Sequence, residues 1–128
     1  MNIQEIEVSK INPAAYNPRI DLMPGDLEYE KLKKSIEEFG YIDPLIWNER
    51  TGNLVGGHQR YKILLEGKPE NLTVSVVNLD INQEKALNIA LSKIEGGWST
   101  DKLGELLKSI NDEEMLNLTG FSAIEIDE

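Results

Sequence analysis

Residues 53 to 69, NLVGGHQRYKILLEGKP, bring the chain's single histidine, a glycine pair and an arginine within five positions. A strand that ends in Gly56 and Gly57 and passes directly into a helix at His58 has the generic form of an anion site. The first turn of a helix leaves N–H groups without intrahelical partners, and the helix dipole favours negative charge there. Glycines let backbone approach an anion with no Cβ in the way. Arg60 adds a planar fork suited to phosphate or carboxylate. His58 adds a donor, or a general acid/base that titrates near neutrality, and Gln59 lies between them. The spacing is not that of a Walker A loop, nor of the dinucleotide G-x-G-x-x-G fingerprint. A histidine after a glycine turn also serves as a helix cap or a packed polar residue. Composition and spacing alone therefore give a small α/β domain with an anion site at this corner.

Metal chemistry has little footing. One histidine and no cysteine leave only carboxylate-rich sites of the magnesium type. The acidic residues at 37, 38 and 112 to 114 read as solvated helix surface, so no metal ligand is assigned.

The elements that would position the corner are legible in the apolar pattern. Residues 3 to 8 read as a first strand. Prolines at 13, 18 and 24 make the next stretch an extended, turn-rich loop. Asp26 caps a helix running to Phe39, with Tyr29, Leu32, Ile36 and Phe39 as its buried stripe and Gly40 as its stop. YIDPLIWN (41 to 48) reads as a strand, and ERTGN as the turn of a hairpin returning through Leu54 and Val55. A helix from His58 to Glu66 follows, ended by Gly67. Residues 72 to 79, LTVSVVNL, are rich in β-branched side chains and read as a strand. From Asn82 the pattern is helical, with Ala86, Ile89, Ala90 and Ile94 as a stripe widened by Leu87 and Leu91. GGW at 96 to 98 breaks that helix. Ser99 or Thr100 caps another, with Leu103, Leu106, Leu107 and Ile110 facing inward, and a short helix follows at 112 to 118.

The chain has 128 residues, 40% of them hydrophobic, which suits one compact domain with its own core. No apolar run approaches the roughly 18 to 20 residues that span a bilayer, and the first residues lack the pattern of a signal peptide. The absence of cysteine removes disulfides and thiolate chemistry, and a cytoplasmic protein is expected. With 13 basic and 23 acidic residues the net charge is −10, a poor match to the phosphate backbone of DNA. The Lys31, Lys33 and Lys34 cluster reads as a solvated helix face.

Four segments taken together resemble the ParB/sulfiredoxin superfamily: YNPR (16 to 19), LKKSIEEFGYIDPLIW (32 to 47), LVGGHQRYKILLEG (54 to 67) and LTVSVVNL. The resemblance covers residues 3 to 95 and implies a compact mixed α/β (α+β) domain with a small mixed sheet and packed helices, followed by C-terminal helices. It implies a pocket for a nucleotide or phosphate at the GGHQR turn (Gly56, Gly57, His58, Gln59, Arg60). Asn17 and Arg19 match the family's N-P-R element. Ser35, Gly40 and Pro44 match its L-x-x-S-I-x-x-x-G-x-x-x-P-L element. Gly57 and Arg60 match the ends of the G-E-R-R turn of partition proteins, which bind and hydrolyse CTP. His58 and Gln59 replace its glutamate and first arginine, and the family's E-N-x-x-R is missing at LSKIEGGWS.

The ligand the resemblance implies is thus CTP or ATP/ADP with Mg2+. Sulfiredoxin activity is excluded, because His58 stands where that branch carries its cysteine. Kinases of free serine on this scaffold point to a second reading, an enzyme in its own right that transfers phosphate to a small molecule, with His58 or Asp43 as catalytic groups. Some relatives are labelled nucleases, and a binding-only scaffold is a third reading. The resemblance also allows a homodimer.

Residues 1 to 95 are expected to form the ParB-like domain and 96 to 128 a helical extension. Ser122 and Glu125 stand at capping-box spacing, the signature of a helix start, with three residues after them. This is expected of a piece of a longer polypeptide. The tail resembles ParB-like domains of phage and mobile elements that precede a DNA methyltransferase domain, so DNA would be met through another domain or partner.

Overall fold

The structure is a computed structural model that describes residues 1–17, 22–95, 100–110, 112 and 115, without the side chains of 92–95, 100 and 101. Arg19, the Ile94 side chain, the GGW break, Ser99, most of the helix expected at 112 to 118 and the Ser122/Glu125 pair lie outside the described residues.

Four strands form one mixed sheet: β1 (Ile3–Glu7), β2 (Leu45–Asn48), β3 (Leu54–Gly56) and β4 (Asn71–Val77), in the order β1-β4-β2-β3. β1 runs antiparallel to β4, and β2 is antiparallel to β3. β2 is parallel to β4, with Leu45 opposite Val74 and Trp47 opposite Val76. A parallel pair needs a crossover. Here it is supplied by β3 and by α2 (His58–Leu64), which ends in a 3-10 turn over Leu65–Gly67. The fold is therefore the small mixed sheet with packed helices that the resemblance implies.

β4 shows the period of two that buries one face: Leu72, Val74 and Val76 point inward. They join Ile11, Leu45, Trp47 and Leu54 in the main core. A second core lies between α3 (Ile81–Glu95) and α4 (Thr100–Lys108), where Ile89 meets Leu106, Leu107 and Ile110. That is the inward stripe the α4 sequence predicts.

Several expectations are corrected. The first strand stops at Glu7, and Val8–Lys10 form a 3-10 turn. The strand expected from residue 41 begins only at Leu45. The Tyr41 hydroxyl accepts from Leu45 N at 2.6 Å and donates to Thr73 O at 2.6 Å, so a side chain holds this edge of β4 where a strand would. Pro44 offers no N–H to extend the ladder. Asp26 stands at the N-cap of α1 (Leu27–Phe39), yet its carboxylate accepts from Met23 N at 2.8 Å and closes the preceding turn instead of capping. Phe39, expected in the buried stripe, is 66% exposed, and Tyr29 is the buried residue of α1, which packs on α2. α3 starts a residue earlier than expected, behind a reciprocal cap in which Gln83 N donates to Asp80 Oδ1 and Asp80 N donates to Gln83 Oε1. Gly40 ends α1 as expected, with φ of 85° and its N–H on Ile36 O. No helix among the described residues is long and apolar enough to cross a membrane.

Candidate functional site

β3 is buried on both faces, because β2 lies beside it and α3 packs over it. It delivers the chain into Gly56 and Gly57 at a point where the backbone has little room. A Cβ on Gly56 would stand 3.1 Å from Leu91 and 3.3 Å from Ile46. Gly57 has φ of 87°, the left-handed conformation that glycine adopts without penalty. It is the N-cap of α2, and Tyr61 N donates to its carbonyl at 2.8 Å. The two glycines thus make the sharp strand-to-helix corner read in the sequence.

What the corner presents is divided. Beside α2 lies a pocket of about 280 Å³. His58, Gln59 and Lys62 of α2 form one wall, and Asn17 and Ala14 of the proline-rich loop another. Lys102 reaches it from α4. Arg60 does not line this pocket. Its guanidinium folds back over Gly57, and Nη1 lies 3.4 Å from Asp43 Oδ2. Its Nε is buried with no hydrogen-bond partner among the described residues. Asp43 is 69% exposed, so the pair sits at the rim of the fold, where ion pairs contribute between 0 and about 1 kcal/mol. Asp43→Asn is therefore expected to change the unfolding free energy by less than about 1 kcal/mol, read from urea denaturation. A loss twice as large would contradict this placement.

The other residues singled out in the sequence are scattered. Ser35 and Gly40 are exposed on α1 and at its exit, and Pro44 is half-buried before β2. None of the three lines the pocket. Asn17, His58 and Gln59 are the members of the predicted set that the fold brings together there. Among the described residues, no group of three or more histidine and acidic side chains lies close enough to hold a metal ion.

Two buried polar residues of α3, not singled out in the sequence analysis, set the geometry. Asn88 is 1% exposed; its Nδ2 donates to Val55 O at 3.0 Å and to Asn17 Oδ1 at 3.2 Å. One amide thereby ties the loop wall of the pocket to the strand that feeds the glycine corner. Glu84, one helical turn earlier, is fully buried. Its Oε1 accepts from Asn48 Nδ2 at 2.8 Å and from Thr51 Oγ1, and its Oε2 from Tyr16 Oη at 2.5 Å and Asn53 Nδ2 at 3.0 Å. Burial alone would raise the pKa of this carboxyl. The hydrogen bonds from Thr51, Tyr16, Asn53 and Asn48 overcome that and hold it below its ordinary value. Tyr16 is pushed far upward, first by burial and then by its bond to Glu84. Glu84 thus fastens Tyr16, which adjoins Asn17, to the β2–β3 turn. A signal for both residues was present: positions 84, 88 and 91 recur at helical spacing, so Glu84 and Asn88 share the face of Leu91.

Comparison with known proteins adds the decisive observation, a match of residues 1–95 to the model of the ParB N-terminal domain. The chain belongs to the ParB N-terminal domain family. Among solved structures it is similar to a Pnob8-like ParB-N domain, with a TM-score of 0.62 and 16% identity, over 93% of this chain and 48% of that one. This ParB-N chain thus spans about half the length of that relative. It is also similar to C-terminally truncated chromosome-partitioning protein ParB from Caulobacter crescentus in two complexes. The complex with CTP-gamma-S gives a TM-score of 0.51 and 18% identity, over 94% of this chain and 86% of that one. The complex with the centromeric parS site gives 0.58 and 15%, over 97% and 68%. At these identities the likeness is one of fold. No curated protein matches the sequence.

Proposed function

We propose that this ParB N-terminal domain is a cytoplasmic nucleotide-binding module of a DNA-related system, and that its ligand occupies the pocket beside the glycine corner. One observation carries the reading: two motifs some forty residues apart, Asn17 of the N-P-R loop and His58–Gln59 of the GGHQR turn, line the same pocket. Asn88 holds them in register from beneath. The relative crystallised with CTP-gamma-S shares the fold, which makes CTP the first ligand to test, with ATP and ADP beside it and Mg2+ as counter-ion. DNA, bound by that relative at parS, is reached here through a further domain or partner, because the net charge of −10 opposes a phosphate backbone. In this reading residues 96 to 128 form the extension that leads toward that domain.

Within this reading Gly56 and Gly57 shape the corner, and Asn17, His58 and Gln59 meet the ligand. Arg60 and Asp43 stand behind the corner as a rim pair. The test is thermal denaturation with CTP, ATP, ADP, GTP and inorganic phosphate, with and without magnesium. A ligand at 100 times its dissociation constant stabilises the fold by about 2.7 kcal/mol. A nucleotide-selective rise in melting temperature, lost in His58→Ala, is expected. No rise with any ligand would overturn the reading.

A further inference from the structure

β1 stands at the end of the sheet, with β4 on one side only. Its ladder fixes which backbone groups that leaves over. Gln4 lies opposite Val74 and Ile6 opposite Leu72. Val76 N donates to Asn2 O at 2.7 Å, and Val8 N to Glu70 O at 2.8 Å. Bonded and non-bonded pairs alternate along an antiparallel ladder, so Asn2, Gln4, Ile6 and Val8 turn their backbone toward β4. The N–H and C=O of Ile3 and Glu5, with the N–H of Glu7, therefore point away from the sheet.

Side chains alternate across the strand as well. Ile6 packs on the main core, so Ile3, Glu5 and Glu7 share the opposite face, and all three are exposed. Beside them lies a hollow of about 390 Å³, lined by Glu5, Ile6, Glu7, Lys10 and Asn71. Neither Glu5 nor Glu7 has an ion pair or a side-chain hydrogen bond among the described residues.

An open strand edge is a template for a further strand, and charge decides which strand this one accepts. A second copy, paired antiparallel in the register that uses the whole of β1, would set Glu5 against Glu5. Like charges directly opposite are destabilising. A strand with cations at these positions meets two carboxylates instead, with Lys10 the one opposing charge among the residues lining the hollow. A nucleic-acid backbone is repelled as a second copy is.

We infer that β1 is a docking edge for an extended basic segment of a partner protein. The segment adds antiparallel as a fifth strand, with Lys or Arg opposite Glu7 and Glu5 and an apolar residue opposite Ile3. In its own direction it carries Lys/Arg-x-Lys/Arg-x-apolar. This site is separate from the pocket beside α2 and does not depend on the nucleotide reading.

Two blocked peptides, Lys-Thr-Lys-Thr-Val and Glu-Thr-Glu-Thr-Val, are to be titrated to millimolar concentration into 15N-labelled protein. The proteins are wild type, Glu5→Lys/Glu7→Lys, Glu5→Pro and Glu38→Lys. Glu5→Pro removes one outward donor, and the β4 ladder keeps its bonds because Gln4 and Ile6 make them. Glu38 is exposed on α1 and does not line the hollow, so Glu38→Lys controls for net charge. The basic peptide should shift the Ile3, Glu5 and Glu7 amides saturably in wild type and in Glu38→Lys. Charge reversal at positions 5 and 7 should weaken it roughly tenfold and make the acidic peptide the better ligand. Glu5→Pro, with its core amides in native positions, should weaken it too. Saturable shifts elsewhere, no shifts in folded wild type, or equal binding of the basic peptide to wild type and the double variant would each overturn the inference. Concentration-dependent protection of the same amides without peptide would name a second copy as the occupant and overturn it as well.

Discussion

Glu84→Gln is expected to lower the unfolding free energy by about 3 kcal/mol, although the change preserves shape. In the native chain both carboxylate oxygens only accept, two donors apiece. A glutamine replaces one oxygen with an amide that donates, and sets it against two donors. A hydroxyl can rotate to accept, but an Asn amide beside it then loses its partner in a site closed to water. Buried polar groups left without partners cost about 1–3 kcal/mol each, and bonds to a charged acceptor are the stronger kind. For a chain of this size a loss of about 3 kcal/mol lowers the melting temperature by roughly 10 °C.

The same carboxylate fixes a pH dependence. Its folded pKa lies below the ordinary 4.5, so the unfolded chain takes up the proton first on acidification. Its stabilisation is complete at pH values above 4.5 and disappears as the pH falls through the folded value. Tyr16 acts with the opposite sign: its folded pKa is raised above 10, so its contribution is complete below pH 10 and is lost as the pH rises beyond it. Urea denaturation from pH 3 to 11 should show both limbs. Glu84→Gln should flatten the acid limb and Tyr16→Phe the alkaline one. An unchanged acid limb in Glu84→Gln would contradict the assignment.

Gly57→Ala is the second large effect, expected at about 2–5 kcal/mol. Two causes add. The left-handed backbone, φ of 87°, costs an alanine about 1–2 kcal/mol. The new Cβ would lie 2.6 Å from Leu45 Cδ2 and 2.9 Å from Arg60 Nη2. Leu45 is fully buried against β4 and has nowhere to move, so overpacking adds about 1–3 kcal/mol. Gly25→Ala separates the causes, since Gly25 has φ of 97° but no atom within 4 Å of its Cβ position. Gly25→Ala should show the backbone cost alone, and equal losses in the two variants would remove the steric part of the account.

How far the sequence reaches can be judged from these residues. Apolar spacing located α4 and its inward stripe, because helical period and burial coincide there with no competing polar contact. The glycine corner was legible for a similar reason: left-handed backbone between a strand and a helix leaves few residues to choose from. Tyr41 was not legible as a strand substitute, because a hydroxyl reaching Thr73 O is a tertiary contact between distant residues. Glu84 and Asn88 were not singled out in the sequence, although their spacing with Leu91 places them on the inner face. Arg60 pairs with Asp43 and does not line the pocket, an orientation that the sequence does not carry. A guanidinium turns toward whichever carboxylate the fold brings near, and Asp43 is seventeen positions earlier in the chain. Lys102 escaped notice because only the packing of α4 on α3 carries it to the pocket.

The central claim is that one pocket, walled by the Asn17 loop, by α2 and by Lys102, receives the nucleotide. The most direct test is a titration of 15N-labelled protein with CTP, followed by amide chemical-shift mapping. The account predicts saturable shifts clustered at residues 13–17, 57–65 and about 102, with those of β1 unmoved. Saturable shifts clustered elsewhere, or no shifts at millimolar CTP, would contradict it.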